Sequence, residues 1–167
     1  MTADAIRLLL FPAIMAFAAS SDLLTMTISN RVSLILIGSF LVLAAMWGMP
    51  LAQIGMHFGA ALAVLVVSFA FFARGWIGGG DAKLAAATAL WFGFDQLLNY
   101  LTFAALIGGL MTFAIMQFRL VPLPAAIAGH AWAQRLHRND TGVPYGIALA
   151  LAALLIYPDT PWMMLGR

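Results

Sequence analysis

The apolar runs of this sequence constrain its fold more than any other feature. A membrane-crossing helix needs about 20 mostly apolar residues. Six stretches meet or approach that length: residues 6–21, 32–49, 54–72, 82–94, 97–118 and 143–157. Of all residues, 64% are hydrophobic and 8% are charged. An ordinary soluble domain is roughly one quarter charged. There is too little polar surface to cover a water-soluble globule, so apolar side chains must face lipid as well as each other. The expected fold is an all-α membrane protein, one bundle of six transmembrane helices.

The breaks between the stretches are legible. Asp22 to Arg31 is polar, Gly48-Met49-Pro50 is a turn, and Arg74 to Gly80 is glycine-rich. Phe94-Asp95-Gln96 is a short polar break, and Arg119 to Gly142 is long and basic. Neither an internal repeat nor a second domain is visible. Residues 1–167 read as one integral-membrane domain.

Ala16-Phe17-Ala18 resembles a signal-peptide cleavage site. A signal begins with basic residues, however, and here Asp4 and Arg7 cancel. The first stretch is therefore expected to remain as a span.

Charge sets the orientation. With six crossings, Arg31, Arg74, Lys83, Arg119, Arg135 and Arg138 share one side, and Arg7 and Arg167 fall near the other. The basic side is cytoplasmic. Both termini are then outside the cytoplasm. A re-entrant fourth stretch would destroy this bias. The net charge of +2 reports topology first and says little about nucleic acid. Residues 120–140 form the cytoplasmic loop. Leu123, Ile127, Trp132 and Leu136 suggest a short helix lying in the interface, started by Pro122 and Pro124. The alternative is an irregular loop with a few anchoring side chains.

The chain has no cysteine, so a disulfide framework, a Cys-based zinc site and a thiol nucleophile are excluded. His130 and His137 lie two helical turns apart, but two ligands without a third make a poor metal site. His57 reads as structural.

Six aspartates remain. Asp4, Asp95 and Asp159 fall at the outer boundary, and Asp140 balances Arg138. Asp22 and Asp81 differ: both lie at ends of apolar stretches on the cytoplasmic face. Asp81 follows Gly78-Gly79-Gly80, which leaves room for close backbone approach. It is also well placed as the N-cap of the fourth span. Asp22 ends the first span, where the helix dipole disfavours an anion; the bland alternative is an exposed loop acid. Two such carboxylates at one depth suit general acid and base catalysis.

Three motifs carry a resemblance. Gly78-Gly79-Gly80-Asp81-Ala82-Lys83-Leu84 closely resembles the G-x-G-D-x-K-L signature of type IV prepilin peptidases. These are intramembrane aspartyl proteases, a group that also includes presenilin. Asp22 with Ile28-Ser29-Asn30 is similar to that family's D-x5-I-P-N stretch, with Ser29 in place of the usual Pro. Pro144-Tyr145-Gly146-Ile147-Ala148 resembles the stretch that opens the last span of its short members.

The resemblance implies an endopeptidase that removes the short basic leader of prepilin at the cytoplasmic face of the cell (inner) membrane, with Asp22 and Asp81 as the catalytic dyad. It implies no metal or organic cofactor. Longer members carry a cysteine-containing cytoplasmic region and N-methylate the new terminus. This chain resembles instead the peptidase-only kind found with tight-adherence (Flp) pilus systems. Its partners would be an Flp-type prepilin and membrane lipid. Gly78, Gly79 and Gly80 could admit an extended substrate strand. Lys83 either orients loops and headgroups or snorkels. Asn30 either orients the Asp22 loop or caps the second span. Tyr145 either shapes the substrate pocket or joins an aromatic belt.

A rival reading is a small ion- or proton-coupled transporter or channel subunit using Asp22 and Asp81. It accounts poorly for the Gly-Gly-Gly-Asp loop, and a transporter site is expected at the midplane. A non-catalytic assembly partner makes no demand on either acid.

Overall fold

The computed structural model describes residues 2–164, with side chains except at 2–5, 7 and 164. Helices account for the regular structure, and no strand occurs among the described residues. They are α1 (Thr2–Thr25), α2 (Asn30–Met46), α3 (Leu51–Ala73), α4 (Gly79–Leu120), α5 (Ala125–Ala128), α6 (Ala131–His137) and α7 (Tyr145–Ile156). A 3-10 turn, Tyr157–Asp159, and α8 (Pro161–Met164) follow. By length and composition, three helices could cross a membrane: α3, α4, and α1 over Leu8–Thr25. The apolar helices Asn30–Met46 and Tyr145–Asp159 are shorter.

The fourth and fifth apolar stretches form one helix bent at Gly93, where φ is 61° and ψ is −168°. That conformation is essentially restricted to glycine. The chain turns back there. Asp81 and Ala85 from the first arm line one groove with Leu101 and Ala105 from the second. The expected break at Phe94-Asp95-Gln96 thus falls one residue earlier.

Breaking a helix frees backbone carbonyls. His57, buried in α3, donates from Nδ1 to the Leu90 carbonyl at 2.7 Å. The Trp162 indole donates to the Trp91 carbonyl at 2.8 Å. The structural reading of His57 has its reason here.

Residues 79–92 form the centre of the bundle. Except for Lys83, every side chain from Ala82 to Phe92 is buried, many of them alanines. A helix that is apolar on all sides needs neighbours on all sides, and small side chains let those neighbours approach closely. The largest core side chains gather near Gly93. Trp91 lies 5.3 Å from Trp162, and Phe11 stacks on Tyr157 at 4.6 Å, measured between ring centroids. Asp95 and Asp159 are exposed at this end.

The opposite end carries the loops after α1, α3 and α4, and with them Arg31, Arg74, Lys83, Arg119, Arg135 and Arg138. Arg167 and the Arg7 and Asp4 side chains lie outside the described residues. Residues 120–140 hold two short helices, α5 and α6, with Pro124 as the N-cap residue of α5. Asp140 pairs with Arg138, with Nε to Oδ1 at 2.9 Å, and this hydrogen bond holds the carboxyl below the usual carboxylate range.

Candidate active site

Helix α1 runs to Thr25, so Asp22 lies in its last turn rather than beyond its end. The helix stops because Met26 adopts φ 55°, the left-handed conformation that closes a helix C-terminus. Its amide bonds back to the Asp22 carbonyl at 2.8 Å. Ser21 and Thr25 hydroxyls then bond to the Thr27 carbonyl and fix the reversal. Ile28 is thereby turned inward and buried.

Ser29 is the N-cap of α2, with φ −65° and its Oγ accepting from the Arg31 amide at 3.3 Å. Proline is fixed near this same φ. Ser29 therefore keeps the backbone path of the usual Pro and adds a cap. Asn30 does not cap the second span as one reading supposed; Ser29 does.

Asp81 is likewise not the N-cap of its helix. Gly78 is the cap, and Asp81 is the third helical residue. Its carboxylate turns back toward Gly78, in the manner of a capping box. A side chain at Gly78 would meet Asp81 Oδ2 at 2.9 Å. Gly79 makes room for the Phe72 ring, and Gly80 for Ile28. The protein's own groups therefore occupy the space that three glycines leave.

The two carboxylates meet in one cavity of about 390 Å³, lined by Asp22, Met26, Ile28, Gly78, Gly79, Gly80, Asp81, Gly142 and Val143. Asp22 is 4% exposed and Asp81 half-buried. Helix α7 supplies the link between them. The Gly146 amide donates to Asp22 Oδ2 at 2.8 Å, and the preceding residue, Tyr145, lies beside Asp81. Asp22 ends α1, where the dipole is unfavourable, yet it faces the N-terminus of α7, where the dipole favours an anion. A Cβ at Gly146 would sit 2.8 Å from Asp22 Oδ2 and 2.5 Å from Ile28 Cδ1, so any other residue there must displace one or both side chains.

Arg119 holds this delivery in place. Its guanidinium donates to the carbonyls of Leu136 at 2.9 Å, Thr141 at 3.1 Å and Gly142 at 2.9 Å. Arg135 donates to the Leu24 carbonyl at the C-terminus of α1.

The remaining sequence-selected residues divide. Tyr145 lies beside Asp81 in the groove between the arms of α4 and α3. Its hydroxyl donates to the Ala104 carbonyl at 3.2 Å, and its ring fills the space above Gly108. Lys83 and Asn30 instead pair with each other, Nζ to Oδ1 at 2.9 Å, and line a separate apolar groove. Sequence reasoning quoted Gly146 within the Pro144–Ala148 motif but gave it no role, and it gave Gly142 and Arg119 none at the site. The glycine at the start of the last apolar stretch was the available signal for Gly146.

Two carboxylates in one pocket, one of them held by a helix-terminal amide, can exchange a proton with water and with a bound carbonyl. The type IV leader peptidase family model matches residues 9–113, which include Asp22, Ile28 and Gly78 to Leu84. No curated protein and no solved structure shows significant similarity to the chain.

Proposed function

Because this chain belongs to the type IV leader peptidase family, and is a leader-peptidase-like protease, we propose that it is an aspartyl endopeptidase with Asp22 and Asp81 as its catalytic pair. The observation that carries this reading is the cavity that both carboxylates line, with the Gly146 amide bonded to Asp22.

The chemistry follows from two acids sharing one proton. The ionised carboxylate takes a proton from water as the water oxygen attacks the scissile carbonyl. The protonated partner gives its proton to the carbonyl oxygen, and a gem-diol forms. As the C–N bond breaks, the first carboxyl protonates the leaving amine and the gem-diol returns a proton to the second. Both acids end as they began. This route uses no metal or organic cofactor.

The substrate of this reading is prepilin of the Flp type, cut after a short basic leader at the cytoplasmic side of the cell membrane. The fold is one domain of six spans with both termini outside the cytoplasm. The cluster of basic residues at the Asp22 and Asp81 end supports that orientation. The chain has no cysteine and no inserted cytoplasmic region, so peptidase activity without N-methylation is proposed.

Asp81 is level with Leu101 and Ala105, yet the second arm of α4 continues past them with exposed Leu106, Leu110, Phe113 and Met116. At 1.5 Å per residue, Gln117 lies roughly 18 Å beyond Ala105. That length of apolar surface fits hydrocarbon.

The test is leader cleavage by Asp22→Asn and Asp81→Asn variants, with membrane abundance measured in parallel. Each should lose activity on the order of 10²–10⁴-fold while accumulating normally. Near-parent cleavage by either variant would sink the pair.

A further inference from the structure

Two apolar grooves flank the buried first arm of α4. One, of about 520 Å³, lies on the α2 side and is bordered by Leu34, Leu62 and Lys83. The other, of about 500 Å³, lies between α3 and the second arm and is bordered by Val67, Leu101 and Ala105. They differ in one respect. Asp81 opens into the second groove, and Asp81 also lines the polar cavity that holds Asp22. An ionisable carboxylate facing lipid tails is costly and marks a functional path. A substrate whose cut bond lies at the two acids would therefore extend in two directions: out through the polar cavity, and along the apolar groove.

We propose that the groove between α3 and residues 94–120 receives the apolar segment of the precursor that follows the cut bond, while the leader leaves through the polar cavity. This assignment rests on the proposed peptidase function. The direction follows from charge. A basic leader cannot enter a groove walled by valine, leucine and alanine without losing its hydration. An apolar segment displaces lipid there at little cost, and the small side chains of Ala63, Ala85 and Ala105 permit close helix approach. Lipid alone would fill the groove only between substrates.

Site-specific photo-cross-linking separates the possibilities. A photoreactive residue replaces Leu101 in one variant and Leu62, in the other groove, in a second; both carry Asp22→Asn to hold uncut precursor. The Leu101 position should capture the precursor within the residues following the cut bond, and the Leu62 position should not. Capture at Leu62 alone, or at neither position, overturns the assignment when the parent enzyme cuts the same precursor. If the parent does not cut it, the peptidase reading fails and the groove assignment falls with it. A filling variant gives an independent readout. Ala105 is exposed, so Ala105→Trp should fold, accumulate and cut the membrane-embedded precursor at least about tenfold more slowly. A soluble peptide that ends a few residues after the bond should be cut by this variant at the parent rate. Equal loss on both substrates, or on neither, would also overturn the proposal.

Discussion

The Gly146 amide donates to Asp22 Oδ2 at 2.8 Å, joining the start of α7 to the end of α1 across 124 residues. This bond sets where Asp22 can be and gives its charge a partner. A hydrogen bond to a charged group is worth about 1.5–3 kcal/mol. If that falls on the transition state, the effect on rate is about tenfold or more. Gly146→Ala should cost at least this much cleavage activity, because the new Cβ meets both Asp22 and Ile28. Kinetics on purified protein would check it, and a parent-like rate would remove Gly146 from the site's machinery.

Arg119 makes no substrate contact in this scheme but fixes Thr141 and Gly142, just ahead of Gly146. Arg119→Ala should lower kcat several-fold and leave KM nearly unchanged. Arg119→Lys should restore part of the loss, since a lysine keeps the charge without the planar fork. A change confined to KM would assign Arg119 to substrate binding instead.

At Gly93 the prediction concerns stability. A non-glycine residue in this backbone region costs about 1–3 kcal/mol, and a Cβ would also press on the His57 ring at 3.1 Å. His57→Phe leaves the buried Leu90 carbonyl without its donor, at a cost of about 1–3 kcal/mol. Both variants should unfold at lower temperature in detergent. A Gly93→Ala variant as stable as the parent would contradict the bend described here.

Topology is open to direct measurement. The proposed six spans would put the C-terminus outside the cytoplasm. A cysteine added there should react with a membrane-impermeant reagent in intact cells whose outer barrier has been opened. Protection of that cysteine until the inner membrane is broken would reverse the orientation or remove a crossing.

The sequence determined the class of this protein and drew attention to Asp22 and Asp81. Long apolar runs allow little besides buried or lipid-facing helices, and Asp22 and Asp81 stood out because charge is scarce in such runs. Local chemistry was less legible. Asp81 looked like an N-cap, but Gly78 took that role, with the Asp81 carboxylate turned back toward it from three residues on. Ser29 looked like a departure, yet it keeps a proline-like φ. Only the tertiary structure decided what lies between the acids. Asp22 ends one helix and faces the start of another, so its electrostatic setting depends on a residue far away in sequence. The same holds for Lys83, which sits two residues from Asp81 yet points into a different groove. On a helix, positions two apart face different sides, and only packing reveals which side meets the other acid.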